Sequence, residues 1–362
     1  MDIQVTHRDY MQLALQLAER GRLSVSPNPM VGCVIVKNNQ IIGQGFHQNA
    51  GEDHAEVLAL KAAENQASGA TMYLTLEPCC HFGRTPPCVD ALIDANIKKI
   101  YIACLDPNPL IAGRGLNYLR QHGIEVELGL LKEEAFELNH IFFHYIKYKR
   151  PFVIAKWAMS LDGKTITHSG DSRQISSTNS QNDAHRIRKK VDAVLIGAHT
   201  ARIDDPLLTV RYQPMDPRDK QPLRIILSAT ADLPLNLKLF DTTVAKTLIA
   251  TTTPINLQQQ DFFYQHNVEC LVLPKTAMGH MDLNALLSEL GKREITSLLI
   301  EGGMTTHEYF IKENLINQFH VYVAPVIIGS QSSKKILRHV QLKNIDHDFH
   351  FSAYYPTGEL YV

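Results

Sequence analysis

Short apolar runs alternate with segments of helical spacing along this chain, and that alternation predicts an α/β protein. Its 362 residues are enough for two domains of ordinary size, each burying its own core. Hydrophobic residues make up 44% and charged residues 20%, the balance of a soluble globular protein.

In the first half, residues 7–20 place Met11, Ala14, Leu15 and Ala18 at helical spacing, and Gly21 follows as a stop. Ser26-Pro27-Asn28-Pro29 reads as a turn-rich loop, 31–36 as a buried strand, Asn38-Asn39 as a turn and 41–47 as the returning strand. A helix following Glu56, a strand at 72–76, a helix at 88–95, a strand at 99–103 and another near Val126 continue the layering. Asp106-Pro107-Asn108-Pro109 and Gly113-Arg114-Gly115 read as irregular connections. A long helix from about 131 to 148 closes a first domain, 1–148. The basic, proline-terminated run Lys147-Tyr148-Lys149-Arg150-Pro151 suits a hinge, so 149–362 is read as a second domain. There the predicted strands are 152–156, 193–197, 223–227, 247–250, 269–273, 298–300 and 321–325. Helices are predicted within 179–190, at 283–291 and after Glu301-Gly302-Gly303.

Charge and composition exclude several classes. Thirty-six basic residues against thirty-seven acidic give a net charge of −1, so no basic surface for nucleic acid is expected. No run is long and apolar enough for a membrane span, and Met1-Asp2-Ile3-Gln4 lacks the charged start of a signal peptide. Of six cysteines, Cys79, Cys80 and Cys88 cluster while Cys33, Cys104 and Cys270 are scattered. That is not a disulfide framework, and a reducing cytoplasm is expected.

The chemistry concentrates between His54 and Cys88. One imidazole, His54, and two thiolates, Cys79 and Cys88, supply three ligands of a tetrahedral zinc site, and the open fourth position is the mark of a catalytic zinc. Glu56, two residues from the histidine, is the candidate proton carrier. His-x-Glu followed by Pro-Cys and a second Cys is the signature of zinc-dependent base deaminases, in which the Glu is acid and base rather than ligand. A lone His or a lone cysteine pair is more often core than ligand; the combination on one short segment is not. A closed structural zinc would need a fourth protein ligand, for which Cys80 and His81 are the candidates. His54 and Glu56 reach one metal only across a loop-to-helix junction, because residues two apart on a regular helix face different ways. Pro86-Pro87 suits a helix start at Cys88, where the helix N-terminus would favour the thiolate.

In the second half, Glu301-Gly302-Gly303 stands between an apolar strand and a helical stretch, a turn that lets backbone approach a phosphate. A plain tight turn explains a glycine pair equally well. Arg211, after Asp204-Asp205-Pro206 and Leu208-Thr209-Val210, can clamp a phosphate bidentately, although Arg211 and Arg188 read alone are more often solvated groups. These features indicate a phosphate- or nucleotide-binding α/β domain.

Taken in order, the motifs closely resemble the bifunctional deaminase-reductase family of bacterial riboflavin biosynthesis. The matching strings are Ser26-Pro27-Asn28-Pro29-Met30-Val31-Gly32, His54-Ala55-Glu56, Glu77 through Cys88, Lys156-Trp157-Ala158-Met159-Ser160-Leu161-Asp162-Gly163-Lys164, Asp204 through Arg211, and Glu301-Gly302-Gly303. They run almost end to end. Eight residues separate Cys79 from Cys88, whereas many nucleic-acid deaminases have the shorter Cys-x-x-Cys. The resemblance implies a cytidine-deaminase-like N-terminal domain and a dihydrofolate-reductase-like C-terminal domain. The first would use one Zn2+ per chain to hydrolyse the 2-amino group of 2,5-diamino-6-ribosylamino-4(3H)-pyrimidinone 5′-phosphate. The second would use NADPH to reduce the ribosyl group of the deaminated ribotide to ribityl. By position, Asn28, His47 and His81 resemble contacts to the first substrate, although turn or loop capping explains Asn28 equally well. Ala158, Thr200, Asp204, Ser228, Gly302 and Gly303 resemble NADPH contacts; Ser172, Arg188, Leu208, Arg211 and Glu301 resemble contacts to the second substrate. Two positions depart from the pattern: Gln174 stands where many relatives have Trp, and His199 where a glycine is commoner. Small-molecule ribotide phosphates are the expected partners, and a homo-oligomer is expected. The competing readings are a single-activity nucleoside or tRNA deaminase with a non-catalytic C-terminal domain, and a zinc-stabilised nucleotide-binding protein. Charge balance, the cysteine spacing and the motifs of the second half weigh against the first, and Glu56 weighs against the second.

Overall fold

A computed structural model of the chain describes residues 5–82, 86–165, 175–211 and 220–329, and strand backbone at 335–336, 338–345 and 348–354. Two compact units emerge. The first runs to Phe152 and includes Asn284–Thr296; the second begins at Val153.

The first unit opens with helix α1 (His7–Glu19), nucleated by a capping box in which Thr6 and Asp9 satisfy each other's backbone N–H groups. Then follow β1 (Gly32–Lys37), β2 (Gln40–Phe46), α2 (Ala55–Ala63), β3 (Thr71–Leu76), α3 (Cys88–Asp94), β4 (Lys99–Cys104), α4 (Arg114–Gln121), β5 (Glu125–Leu128) and α5 (Lys132–Tyr148). The sheet order is β2-β1-β3-β4-β5, with β1 antiparallel to both neighbours and β3, β4 and β5 parallel. Strand alternation supplies both faces of the core. Cys33 and Ile35 of β1 join Ala55 and Ala59 of α2, Leu92 of α3 and Leu119 of α4 on one side. Val34 and Val36 join Met11 and Ala14 of α1 and Phe143 of α5 on the other. Leu76 pairs with Cys104, so the carboxyl ends of β3 and β4 open side by side where Glu77-Pro78-Cys79 begins.

The region read as an irregular connection around Gly113-Arg114-Gly115 is in fact the start of α4. The Glu77 carboxylate accepts the N–H groups of Gly113 (2.9 Å) and Leu116 (3.1 Å), so the helix's orphan donors are satisfied from a distant strand end.

The second unit contains β6 (Phe152–Ser160), α6 (Thr178–Lys189), β7 (Ala193–Gly197), α7 (Ala198–Asp204), β8 (Leu223–Leu227), β9 (Thr247–Thr251), α8 (Leu257–Gln265), β10 (Val268–Val272), β11 (Ser297–Ile300), α10 (Met304–Lys312) and β12 (Gln318–Ala324), with α9 (Leu283–Lys292) preceding β11 in the chain. The order is β10-β9-β8-β7-β11-β6-β12. The pairs β10–β9, β9–β8, β8–β7, β7–β11 and β6–β12 are all parallel. After β7 the chain proceeds outward through β8, β9 and β10; after β11 it proceeds the other way to β12. The connections therefore reverse at the β7–β11 pair, where open α/β sheets leave a crevice outside the carboxyl ends of the strands. Helices α7 and α8 and the antiparallel ribbon of Arg338–Ile345 with Asp348–Tyr354 add to the predicted elements. Among the described residues, no helix is long and apolar enough to cross a membrane.

Candidate metal centre and carboxyl-edge site

His54 is the N-cap of α2, in extended backbone (φ −75°, ψ 165°), and Glu56 is already inside the helix. This is the loop-to-helix junction that two residues so close in sequence need to face one point. Cys79 lies just past the end of β3, and Cys88 opens α3 behind Pro87. Three separate elements thus deliver three donors to one place. His54 Nδ1 is 3.1 Å from Cys88 Sγ and 3.7 Å from Cys79 Sγ, and all three donor atoms lie within 4.8 Å of one another. Tetrahedral zinc with Zn–S of about 2.3 Å and Zn–N of about 2.0 Å separates its ligands by roughly 3.5–3.8 Å. The donor set fits that ion. Neither Cys80 nor His81 joins the group among the described residues. The Cys80 thiol points to Leu110 O at 3.9 Å, and His81 lines the neighbouring pocket with Nδ1 buried and unpartnered. The set has three members, which suits an open centre.

The electrostatics are those of a site prepared for a cation. Cys79 is pushed down to about 4 by the hydrogen bond from the Cys88 thiol, against the cost of burial and with help from His54 and the Cys88 N–H (3.3 Å). Cys88, as that donor, is held well above the ordinary thiol range. The two thiols share one proton through the hydrogen bond between them, with Cys79 as its acceptor. His54 is raised by its contact with Cys79. Glu56 is 3% exposed, its Oε2 has no partner, and burial raises its carboxyl.

A pocket of about 350 Å3 leads to the centre, lined in part by Asn28, His47, His81, Asp106 and Asn108. His47 Nδ1 is 3.1 Å from Asp53 O and so must carry the proton; Nε2 then accepts from Asn28 Nδ2 at 3.0 Å. Burial holds His47 below its ordinary value. Asp106, pushed up to about 6 by burial, and Glu77 are two buried acids here that sequence reading passes over. The only sequence signal for Glu77 is its place beside Pro78-Cys79.

In the second unit the expected residues gather where strands of the sheet end. Ala158 is on β6, Thr200 and Asp204 are on α7 just after β7, Ser228 follows β8, and Glu301-Gly302-Gly303 follows β11. Ser228 is buried and donates its N–H to Ala250 O (3.0 Å). Gly303 has φ +69°, and a Cβ there would lie 3.0 Å from Thr200 Oγ1. A Cβ on Gly302 would lie 2.7 Å from Ile196. The side chains of Ile196 and Thr200 fill the space a Cβ would take at these two glycines. Arg188 binds Glu301 through two parallel hydrogen bonds of 2.7 and 2.8 Å and donates a third to Thr209 O at 2.6 Å. Both side chains are under 10% exposed. Burial alone would raise the Glu301 carboxyl; Arg188, and the charge of Lys156 behind it, hold it below its usual value. Arg211 touches Thr209 Oγ1 (3.2 Å) and is the less committed guanidinium. Leu208 is buried at φ +51°. Ser172 and Gln174 lie outside the described residues. Lys156 and His185 are further groups at this edge; burial, then Arg188 and Arg211, push His185 down to about 4.

A three-donor metal centre beside a buried carboxyl, followed by a doubly wound sheet with a glycine turn at its reversal, defines a metal-dependent deaminase joined to a reductase-type α/β unit. Residues 4–104 match the family described as cytidine and deoxycytidylate deaminase zinc-binding region, and residues 151–356 match RibD C-terminal domain. The riboflavin biosynthesis protein RibD of Actinobacillus pleuropneumoniae is 42% identical over 94% of this chain and 90% of its own length. That of Escherichia coli K12 is 40% identical over 89% of each. Among solved structures, Acinetobacter baumannii RibD superposes with a TM-score of 0.80 at 38% identity, covering 96% of this chain and 98% of that one. The Thermotoga maritima diaminohydroxyphosphoribosylaminopyrimidine deaminase/5-amino-6-(5-phosphoribosylamino)uracil reductase gives 0.77 at 32% identity, covering 96% and 97%. The chain belongs to the RibD family of riboflavin biosynthesis proteins.

Proposed function

We propose that the chain deaminates 2,5-diamino-6-ribosylamino-4(3H)-pyrimidinone 5′-phosphate in its first unit and reduces the resulting ribosylaminouracil phosphate with NADPH in its second. The observation that carries this reading is the convergence of His54, Cys79 and Cys88 beside the buried, unpartnered oxygen of Glu56. A fusion of deaminase and reductase in riboflavin biosynthesis is what the family is.

In this reading His54 Nδ1 and the two sulfurs hold Zn2+, which when bound makes water a nucleophile at neutral pH. Glu56 takes a proton from the attacking water and returns it to the ring nitrogen or the departing amine, so that the C–N bond breaks and ammonia leaves. Its buried Oε2, without a partner, is placed for that exchange. Asn28, oriented by His47, and His81, with its free buried Nδ1, hold the heterocycle. Bound in the second unit, NADPH would supply a hydride for C1′ of the ring-opened imine, whose nitrogen takes a proton from solvent. Gly302 and Gly303 let the backbone approach the cofactor, with Ala158, Thr200, Asp204 and Ser228 around it. Glu301, fixed by Arg188, contacts the sugar; Arg211 faces the phosphate beside Leu208, and the family resemblance adds Ser172, which lies outside the described residues. Arg188 is thereby a support for Glu301 as much as an anion contact. Six unpaired cysteines support a reducing cytoplasm as the working compartment, and we expect a homo-oligomer. The match of residues 151–356 to the RibD C-terminal domain weighs against the single-activity reading.

Metal analysis coupled to an assay with the diaminopyrimidine ribotide tests this. One zinc per chain, ammonia release without NADPH, and NADPH oxidation only after deamination are expected. Zinc and ammonia with no NADPH oxidation would favour the single-activity reading; absence of both would overturn the whole.

A further inference from the structure

Two walls of the deaminase pocket come from parts of the chain far apart in sequence. Pro27, Asn28 and Val31 form one; Phe142, Tyr145 and Ile146 of α5 form the other. We infer that Asn139 is a positioning residue that ties these walls together and sets the space between them, an inference that rests on reading this pocket as the deamination site.

Asn139 is 1% exposed. Its Nδ2 donates to Met30 O at 2.8 Å, and its Oδ1 accepts the Met30 N–H at 2.8 Å, across 109 residues of chain. One amide side chain thus engages both polar groups of one residue, the exchange made by a hydrogen-bonded pair across antiparallel strands. A single hydrogen bond lets its partners pivot; two to the same residue do not. A side chain that is at once donor and acceptor is required, which only Asn and Gln offer as neutral amides. Helix α5 departs from helical backbone at this residue alone (φ −112°, ψ 15°), and the departure falls between its first half and the pocket-lining half.

What Asn139 holds passes directly to the pocket. Two residues before Met30, Asn28 Nδ2 donates to His47 Nε2 (3.0 Å). One residue after it, Val31 O accepts the His47 N–H (2.9 Å). The register of Met30 therefore places both Asn28 and the backbone of His47. On the other side, the change of backbone at Asn139 directs Phe142, Tyr145 and Ile146. None of the metal-donor atoms is involved, so the effect falls on substrate placement rather than on the metal.

Asn139→Asp replaces the donor with a second oxygen facing Met30 O; Asn139→Ala removes both bonds without adding charge. In the full chain, each is expected to raise the deamination KM for the diaminopyrimidine ribotide by about ten-fold or more, with a smaller change in kcat. Zinc stoichiometry and NADPH-dependent reduction of the already deaminated ribotide should stay at wild-type values. Amide exchange at Met30 gives a readout independent of activity: slow in the wild type, fast in the variants. A wild-type KM in either soluble variant, a parallel loss of deamination and reduction, or a fast Met30 amide in the wild type would overturn the inference. If the wild type shows a protected Met30 amide but releases no ammonia, the reading of the pocket fails and the tie between the walls stands.

Discussion

At the scale of single residues, the deaminase centre separates roles that are easily confused in a cluster of acids and thiols. Glu56 touches the reacting atoms in the proposed mechanism but contributes nothing to the three-donor set. Glu56→Gln should therefore retain one zinc per chain and lose deamination by about 10²- to 10⁴-fold, the usual scale of a positioned acid/base. Normal turnover by this variant would remove Glu56 from the mechanism. Glu77 is the opposite case. Its carboxylate collects the N–H groups of Asp106, Gly113 and Leu116 at 3.3, 2.9 and 3.1 Å, two residues before Cys79. A Gln there must turn an NH2 group toward at least one of those donors. Glu77 touches no metal donor but fixes the chain two residues before Cys79, so Glu77→Gln should weaken zinc, by no more than about ten-fold, in a chelator competition. Unchanged zinc affinity with a melted α4 would show that Glu77 serves the helix alone.

At the scale of elements, legibility follows how local the determining contact is. Helix α1 is readable because its apolar spacing and stop are its own. The junction at His54 is readable because the chemistry demands it: two residues apart, they must straddle a helix start. Helix α4 is not readable, since its cap is a carboxylate from the end of β3, and a local reading sees only Gly113-Arg114-Gly115. The pairing of Arg188 with Glu301 is hidden for the same reason, as 113 residues separate partners that look solvated singly. Helix α10 carries a further device of this kind. His307 is 1% exposed beside Trp157, and burial pushes it down to about 4, below the ordinary value of about 6.5. Its native form stays neutral while the unfolded form protonates, so its contribution to stability is intact above the unfolded value and falls as pH drops toward the folded one. Between pH 6.5 and pH 5 the wild type should lose roughly 1.5 kcal/mol more than His307→Gln in denaturant titrations. Parallel stability curves for the two would show that His307 does not resist protonation.

At the scale of the whole molecule, two sheets of different construction carry two chemistries. Stripping the metal with a chelator should abolish ammonia release while NADPH oxidation on the deaminated ribotide continues; simultaneous loss of both would mean that zinc supports more than the first unit. The first sheet has one further consequence for its site. Strand β1 is apolar on both faces, so its alternation cannot by itself say which face is which. Shape does so instead. A Cβ on Gly32 would sit 1.9 Å from Ala14 O, and on Gly45, which pairs with Cys33, 2.6 Å from Ala55 O. Both helices rest directly on bare backbone. Ala55 stands between His54 and Glu56, so the height at which the imidazole and the carboxyl meet their targets is gauged from Gly45. The metal centre takes its tolerance from a strand that supplies none of its ligands, and a single methyl group there would mistune the chemistry without touching a reacting atom.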